Sequence, residues 1–344
     1  MEKKIILKGM NELELQNYCI NLSFPKFHGT QLFRWLYKNN YLDINKMSNI
    51  PQALKNEIDN NTIINLLSVK VKSKSKIDKT TKFLLETLDN KSIETVSMIE
   101  NKRHTVCLSS QIGCNVDCDF CATGKMGIIR NLNVGEIIDQ LITVKQHVKE
   151  PITNIVFMGM GEPFLNYKNV IKSCEILCDH NAFNLGAKRI TISTSGILPK
   201  IDLYIKEKHK YKLAISLNAS NNKVRDSIMP INRKWNLEKI IHSVKQYSYL
   251  DKIPIMFEYV LLKNLNDSKS NAKELASILD GINCKINLIP FNEIFGKYQR
   301  PDNDVINEFA NILNKYTNLR VLVRWSKGED IKAACGQLAT ENES

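Results

Sequence analysis

The sequence contains no long apolar run. No stretch of its 344 residues approaches the roughly 18 apolar residues that span a bilayer, and residues 1–8 lack the apolar core of a signal peptide. Internal repeats are absent, and the only low-complexity tract is a short lysine–serine alternation at residues 70–76. We therefore expect a cytoplasmic protein that makes no contact with a membrane and is not built from repeats.

The size and composition suit a protein with a substantial core. With 344 residues, of which 43% are hydrophobic, the chain can form one large domain and a smaller accessory domain. It has nine cysteines. In a reducing compartment, that number indicates metal ligation or thiol chemistry rather than a disulfide framework.

The chain is strongly basic. Its 48 lysines and arginines outnumber its 36 aspartates and glutamates, which gives a formal charge of +12, and half of this excess lies in the first 80 residues. A polyanion is the expected partner, and nucleic acid is the leading candidate. An AT-rich genome, which enriches lysine and asparagine without any binding role, is the alternative explanation.

Hydrophobic periodicity divides the chain into three regions. Residues 1–75 predict short helices at 11–19, at 31–38 and from Gln52, with residues 70–76 as a solvated linker. Two alternating runs, 81–87 and 92–98, predict a hairpin within 76–104. From residue 105 to 344, strands predicted at 105–109, 154–158, 189–193, 213–217, 256–262, 285–289 and 319–323 alternate with helices at 134–148, 170–178, 237–247, 268–279 and 304–316. This alternation predicts an α/β fold with an open or partial βα barrel, whose functional loops follow the strands.

Three cysteines follow the first of these strands in the spacing C-x-x-x-C-x-x-C, namely Cys114, Cys118 and Cys121. Three thiolates can hold three corners of a cubane iron–sulfur cluster and leave the fourth iron open for a small molecule. A structural zinc site is the alternative, but a fourth ligand at zinc-finger spacing is missing, because His104 lies before the strand. These three cysteines, which we call the cysteine tripod, therefore favour a reactive iron–sulfur cluster over a structural zinc site.

Polar or glycine-rich segments follow several other predicted strands. They are Gly159-Met-Gly-Glu-Pro163, Ser193-Thr-Ser-Gly196, Ser216-Leu-Asn-Ala219 and Asn287-Leu-Ile-Pro-Phe-Asn292. Glycines let a backbone approach a ligand closely, and Glu162 or nearby carbonyls can accept hydrogen bonds from an ammonium group. Each segment alone could be a tight turn or a helix cap. Their shared location predicts a ligand cradle.

The remaining cysteines fall into two groups. We interpret Cys19, Cys174, Cys178 and Cys284 as small hydrophobic residues of the core. Cys107, on the first barrel strand, and Cys335, near the carboxyl terminus, stand out once the motifs are taken together.

Those motifs, in order, resemble the RlmN family of radical S-adenosylmethionine (SAM) methyltransferases. They are Thr105-Val-Cys-Leu-Ser-Ser-Gln-Ile-Gly-Cys114, Phe120-Cys-Ala-Thr-Gly124, Arg130-Asn-Leu132, Gly159-Met-Gly-Glu-Pro163, Met229-Pro-Ile-Asn232, Glu258-Tyr-Val260, Asn287-Leu-Ile-Pro290 and Ala333-Ala-Cys-Gly-Gln-Leu338. The resemblance covers essentially the whole chain. It implies a partial (βα)6 radical SAM barrel, a small helical amino-terminal accessory domain that binds RNA and a β-hairpin linker.

The resemblance also implies a reaction, methylation of adenosine C2 in 23S rRNA and in transfer RNA. Adenine C2 is electron-poor and cannot attack a sulfonium methyl group, so a radical route is required. One SAM methylates Cys335, and a second SAM on the [4Fe-4S] cluster is reductively cleaved to a 5′-deoxyadenosyl radical, which abstracts hydrogen from the thiomethyl group. The methylene radical adds to C2 and leaves a protein–RNA thioether. Cys107 then attacks the sulfur of Cys335, so that a disulfide remains for a reductant to reopen.

Further residue roles follow from the same resemblance. Glu94 is the implied general base for the C2 proton. The implied SAM contacts are Gly161, Glu162, Ser193, Ser216, Leu217, Asn218 and Asn292. Asn218 departs from the many relatives that carry histidine there, which puts a proton-transfer role at this position in doubt. The implied electron donor is a flavodoxin or ferredoxin, and the implied state is a monomer.

Three alternatives remain open at this point. A Cfr-type enzyme shares the scaffold and methylates C8 of the same rRNA adenosine, but Pro163 favours the RlmN type because Cfr-type chains typically have alanine there. A non-catalytic iron–sulfur RNA-binding protein would need neither Cys107 nor Cys335. A radical SAM activase that acts on another protein is disfavoured by the basic excess.

Overall fold

The computed structural model describes residues 4–38, 43–250, 254–294 and 296–340. The amino-terminal region contains β1 (Ile5–Ile6), α1 (Glu12–Asn21), α2 (Phe27–Phe33), a π-helical turn (Arg34–Lys38), α3 (Gln52–Asn61) and β2 (Thr62–Ile63). Helix α1 begins at a capping box, in which Asn11 and Glu14 each accept a hydrogen bond from the other's backbone N–H. The predicted helical character of this region is confirmed. The helix predicted at 31–38 begins earlier, at Phe27.

Four antiparallel strands follow: β3 (Leu67–Lys74), β4 (Lys79–Thr87), β5 (Ser92–Glu100) and β6 (Arg103–Cys107). The predicted hairpin is confirmed as β4 and β5. The predicted linker at residues 70–76 is wrong, because most of it belongs to β3, the last strand at one edge of the sheet. Lysines alternate there with Val69 and Val71, which is the two-residue period of a strand. Most of β3 is exposed on both faces, so its polar composition resembled a linker.

The rest of the chain contains the barrel elements. They are β7 (Gln111–Gly113), α4 (Ala122–Lys125), β8 (Ile128–Asn131), α5 (Val134–His147), β9 (Asn154–Phe157), α6 (Tyr167–Cys178), β10 (Ile190–Thr194), α7 (Leu198–Lys206), β11 (Lys212–Ser216), α8 (Asn222–Ile228), α9 (Leu237–Leu250), β12 (Ile255–Leu261), α10 (Lys269–Ile278), β13 (Cys284–Pro290), α11 (Asn303–Tyr316) and β14 (Arg320–Val323). Helices α4, α7 and α8 and strands β7 and β8 are additions to the predicted set. Among the described elements, no helix is both long and apolar enough to cross a membrane.

One ten-stranded sheet organises the molecule, in the order β14-β13-β12-β11-β10-β9-β6-β5-β4-β3. Strands β6 and β9 to β14 pair in parallel, so six strand–helix crossovers are followed by a final strand. The predicted partial βα barrel is confirmed. Since parallel strands end at the same edge, the segments after β6 and β9 to β14 meet there.

The core fills the space between this sheet and its helices. Cys19, Cys174 and Cys284 are buried in it, and half-buried Cys178 packs against it. The prediction that these four thiols are core residues is confirmed.

A buried ion pair joins the amino-terminal region to the barrel. Lys8 Nζ contacts Asp139 Oδ1, and both side chains are nearly inaccessible to solvent. The other carboxylate oxygen, Asp139 Oδ2, accepts hydrogen bonds from the backbone N–H groups of Leu66 (2.8 Å) and Leu67 (3.1 Å). Burial lowers the pKa of Lys8, and the nearby Asp139 opposes that shift.

An Asp139→Ala substitution is expected to lower the free energy of unfolding by about 3–5 kcal/mol, because it leaves a buried ammonium and two amides without an acceptor. Lys8→Met should cost less, since Asp139 keeps both amide donors and the methionine retains most of the lysine volume. Urea unfolding followed by circular dichroism measures both values. A larger loss for Lys8→Met would contradict this account of the interface.

Candidate active site

A cavity of about 920 Å³, counted with its open mouth, lies at the carboxyl edge of the parallel strands. Ten of the thirteen predicted site residues line it: Cys114, Cys118, Cys121, Gly161, Glu162, Ser193, Ser216, Asn218, Asn292 and Cys335. Leu217, Cys107 and Glu94 lie outside its lining. Leu217 is fully buried and meets the neighbouring strand through its backbone, whose N–H donates to Glu258 O at 3.0 Å.

The cysteine loop forms one wall of this first cavity. Its backbone is fixed by hydrogen bonds from Cys114 N–H to Gly127 O (2.8 Å) and from Cys121 N–H to Cys118 O (3.1 Å). Burial raises the pKa of Cys114 to about 12 and that of Cys118 well above its ordinary value. Within the described ranges, no three Cys, His, Asp or Glu side chains converge on a single ion. The three half-buried thiols instead share the wall of one ligand-sized cavity, which fits a cluster with one iron open to a ligand.

The glycine pair after β9 packs against protein. A Cβ on Gly159 would lie 2.8 Å from Leu108 O, and one on Gly161, which has φ +95°, would lie 2.5 Å from the Cβ of Gln111. Both positions therefore exclude larger residues because the β9 loop presses against the segment after β6. The close approach seen here is between two loops of the cavity wall, and the predicted approach of a ligand to these glycines, which also line the cavity, stays a prediction.

Glu162 connects two of the loops. One of its carboxylate oxygens accepts from Phe164 N–H (2.9 Å) and the other from Ser195 N–H (2.7 Å). Burial is the largest influence on this carboxyl and raises its pKa, while the amide donors oppose the shift. Glu162 thus holds the loops after β9 and β10 together, and its unused lone pairs remain the candidate acceptors for a ligand amine.

A second buried carboxylate, Glu258 on β12, also reaches the cavity, and it is not among the site residues predicted from the sequence. Its Oε2 accepts from Ser193 Oγ (3.1 Å), and its Oε1 lies 3.4 Å from a guanidinium nitrogen of Arg324. Burial raises the pKa of Glu258, and Arg324 opposes that shift. The available signal was an isolated acidic residue inside the otherwise apolar run of β12. Ser193 and Ser216 lie beside each other, with their hydroxyl oxygens 3.5 Å apart.

Asn218 adopts the left-handed conformation, with φ +56°. Its Oδ1 accepts from Val260 N–H (2.9 Å), and its Nδ2 lies 3.3 Å from the sulfur of Met229. Asparagine and histidine are both enriched at positive φ, so this backbone geometry accommodates either residue. Asparagine in place of histidine therefore preserves the loop conformation. Its side-chain amide helps to hold the loop through the contacts to Val260 and Met229.

Asn292 presents an unsatisfied acceptor to the cavity. Its Nδ2 donates to Cys335 O at 2.9 Å, whereas its buried Oδ1 has no hydrogen-bond partner among the described residues. A buried amide oxygen in this state needs a donor, and a SAM amine or hydroxyl would supply one. The cavity is thus suited to SAM as well as to the cluster.

Arg225 ties together the loops after β10 and β11. Its fully buried guanidinium donates to the carbonyl oxygens of Ser195 (2.5 Å), Ser216 (3.2 Å) and Leu217 (2.9 Å). Burial lowers the pKa of Arg225 to about 10, and the Cys118 sulfur acts in the opposite direction. A fixed positive charge therefore lies near the cysteine wall.

A second cavity, of about 600 Å³ with its mouth, adjoins the first. The two share Met158, Ile289 and Cys335 in their linings, and Cys107 lies in the second. Burial and then the nearby Cys335 sulfur raise the pKa of Cys107. Cys335 is exposed and opens onto both cavities. Desolvation by the protein around it raises the pKa of its thiol, and Arg324 opposes the shift. Cys335 thus stands between the predicted SAM site and the predicted resolving thiol.

The nine cysteines all lie in the described part of the chain, and each is a free thiol. The disulfide between Cys107 and Cys335 that the resemblance implied as a reaction product is therefore not present in this structure.

The carboxyl-terminal segment that carries Cys335 is fixed from several sides. Gly336 O accepts from Ala122 N–H (2.8 Å), and Leu338 O accepts from Thr123 Oγ (2.5 Å), so this segment is attached to the cysteine loop. Two residues of the loop thus help to determine where Cys335 lies.

Glu94 lies beside the same segment and is buried. Its Oε1 is 2.7 Å from Lys82 Nζ, and its Oε2 accepts from Ala339 N–H at 2.9 Å. Burial raises the pKa of Glu94, while Lys82 opposes the shift. The predicted base thus contacts Ala339, which lies four residues after Cys335, but both of its carboxylate oxygens are already engaged.

Both the amino-terminal region and the barrel match known protein families. Residues 5–64 match the ribosomal RNA large subunit methyltransferase N-terminal domain, and residues 108–276 match the radical SAM superfamily. A probable dual-specificity RNA methyltransferase RlmN from Pseudothermotoga lettingae is 41% identical and covers 93% of each chain. The dual-specificity RNA methyltransferase RlmN of Buchnera aphidicola subsp. Schizaphis graminum is 42% identical over 98% of this chain and 94% of its own length.

A solved structure agrees with these sequence matches. The crystal structure of a radical SAM methyltransferase from Sphaerobacter thermophilus has a TM-score of 0.94 and 38% identity to this chain. It covers 97% of this chain, and 99% of that chain is matched. The similarity thus extends through the helical region, the barrel and the segments that form both cavities.

Proposed function

This chain belongs to the RlmN family of radical SAM dual-specificity RNA methyltransferases, and on that premise we propose that it methylates C2 of adenosine in 23S rRNA and in transfer RNA. One observation carries the proposal: Cys335 lies between a cavity walled by the cysteine tripod and a second cavity that contains Cys107. Methylation at C8, as in a Cfr-type enzyme, is the second candidate. The names of the curated relatives and the presence of Pro163 in the cavity wall favour C2.

The cofactors of the radical SAM superfamily are a [4Fe-4S] cluster and SAM, and the proposed reaction uses two SAM molecules per turnover. When bound, they supply the methyl group and the radical that an unreactive ring carbon requires. We assign cluster ligation to Cys114, Cys118 and Cys121. The SAM contacts that we assign to side chains or loop backbone are Gly161, Glu162, Ser193, Ser216, Asn218 and Asn292, and Leu217 contributes only through its backbone.

The thiols and one carboxylate carry the protein's part of the transfer. Cys335 is the methyl carrier, Cys107 is the thiol that resolves the RNA adduct, and Glu94 is the base that removes the C2 proton. Before Glu94 can act on the substrate, its carboxylate must release either Lys82 or the Ala339 amide, so that one oxygen is free to accept the proton. Its raised pKa brings it closer to the operating pH, which favours proton transfer.

The wider setting of the reaction follows from the same assignment. We propose that the protein acts as a cytoplasmic monomer, where its RNA substrates and an electron donor such as flavodoxin or ferredoxin are present. The helical part of residues 1–75 forms the accessory region for RNA, whereas β3 at its end pairs with the hairpin strand β4. Residues 76–104 form the hairpin region, and residues 105–344 form the barrel with the methyl-carrier segment. The two family matches, 5–64 and 108–276, support this division.

Anaerobic reconstitution with iron and sulfide, followed by SAM, reductant and an rRNA fragment, tests the proposal. Mass spectrometry of the digested RNA should then contain 2-methyladenosine. Formation of 8-methyladenosine would overturn the C2 assignment in favour of the Cfr-type reaction. An enzyme that contains the cluster and cleaves SAM but leaves RNA unmodified would contradict the methyltransferase assignment for these substrates.

A further inference from the structure

An aromatic side chain stands at the opening of the second cavity. Trp325 is the second residue after β14, lines the cavity and is 46% exposed, whereas Cys107 in the same lining is only 6% exposed. This difference places Cys107 at the inner end and Trp325 at the mouth. Tryptophan side chains are highly buried on average, so one that leaves nearly half of its surface in solvent indicates a surface available to a ligand.

The ring of Trp325 is held by a cation. The guanidinium carbon of Arg300 lies 5.1 Å from the ring centroid, and Arg300 is itself paired with Glu329 at 3.3 Å. A cation over an indole ring is a favourable contact, and it favours this orientation of the ring. The exposed area of Trp325 is therefore a preorganised flat surface.

The charged groups around this mouth suit an anionic chain. Arg324 and Lys327 line the cavity, and their carboxylate partners are Glu258, which is buried, and Glu100. The 3.4 Å separation in the first pair and the exposure of both cations leave donor capacity for phosphate oxygens. A flat aromatic surface beside cations is the arrangement that binds single-stranded nucleic acid.

We propose that Trp325, braced by Arg300, is a stacking platform for a nucleobase of the substrate RNA adjacent to the target adenosine. This inference rests on the proposed function: with SAM in the first cavity, the second cavity is the remaining approach by which the target adenine reaches Cys335. A base next to it in the chain then lies at the mouth, where the indole is exposed. Sequence-tolerant stacking of this kind would serve an enzyme that accepts two classes of RNA.

Equilibrium binding of the cluster-loaded enzyme to an rRNA fragment tests the platform. Trp325→Ala should weaken binding by about five- to a hundredfold, the range seen when a base-stacking aromatic is removed. Trp325→Phe should restore most of the affinity, whereas Trp325→Leu, which keeps apolar volume without a ring face, should not. Trp235→Ala is the matched control, because Trp235 also lies under a cation, Lys234 at 4.8 Å, but lines neither cavity.

RNAs with one abasic position on either side of the target adenosine identify the stacked base. An abasic site at the stacked position should weaken binding to the wild type and cost little in Trp325→Ala. Wild-type affinity in both Trp325→Ala and Trp325→Leu, or equal abasic losses with and without the indole, would overturn the proposal. Methylation by the wild type is scored separately, so a failed platform leaves the proposed function standing, and a wild type that binds RNA without methylating it refutes only the function.

Discussion

A Cys107→Ala variant is expected to remain covalently attached to its RNA through Cys335. In the proposed reaction, the new carbon links Cys335 to adenine C2, and only a thiol that reaches the sulfur of Cys335 can release the product. Cys107 lies in the same cavity as Cys335, and the influence of the Cys335 sulfur on the pKa of Cys107 reflects their proximity. Alanine keeps the small apolar character of the site but removes the nucleophile.

The adduct can be measured directly. Denaturing electrophoresis after incubation with SAM, reductant and RNA should convert protein to a slower band, up to one RNA per protein, and peptide mass spectrometry should place the nucleotide on Cys335. Cys284→Ala removes another buried barrel thiol and should turn over without an accumulated adduct. The double variant Cys107→Ala/Cys335→Ala should form none. Multiple turnovers by Cys107→Ala without an adduct would refute the role of Cys107.

A Cys118→Ala variant is expected to lose reductive SAM cleavage by on the order of a thousandfold or more, the scale seen when an essential member of a catalytic unit is deleted. Cys118 is the central cysteine of the tripod and lines the first cavity beside Cys114 and Cys121. Removing it leaves two protein ligands for a cluster that needs three, and the iron content of the reconstituted protein should fall with the activity.

Loss of folding must be separated from loss of the cluster in this experiment. Cys174→Ala is the control, because Cys174 is fully buried in the core and lies outside both cavities. This control should unfold at a lower temperature yet retain iron and SAM cleavage. Cys118→Ala that retains a full cluster and cleaves SAM normally would contradict its assignment as a ligand.

Much of the barrel could be predicted because its strands are short apolar runs between amphipathic helices. The strand predicted at 285–289 lies within β13, and the helix predicted at 304–316 matches α11 except at its first residue. The edge strand β3 could not be separated from a linker, because a strand exposed on both faces has no apolar face to reveal its period. Whether a strand is covered or exposed depends on the elements that pack against it, and the local sequence does not specify them.

The site was predictable where residue type alone indicates chemistry, as in the cysteine tripod. It was not predictable for Glu258 or Trp325, since their importance depends on which cavity they face. The glycine pair was selected for close approach, and the structure shows one such approach, that of Gln111 to Gly161, which the sequence alone does not specify. The approach of a ligand to Gly161 stays a prediction. The relation of Cys107 to Cys335 came from the family resemblance and has no local signal.

The attachment of the carboxyl-terminal segment to the cysteine loop also affects the order of events during synthesis. Thr123 and its acceptor Leu338 are 215 residues apart, so the loop is made long before the residues that fix it. Until those residues leave the ribosome, the hydrogen bonds from Ala122 N–H to Gly336 O and from Thr123 Oγ to Leu338 O cannot form. The segment that carries Cys335 is therefore among the last parts of the chain to be fixed, and the position of Cys335 against the cysteine loop is set only after the loop itself has been made.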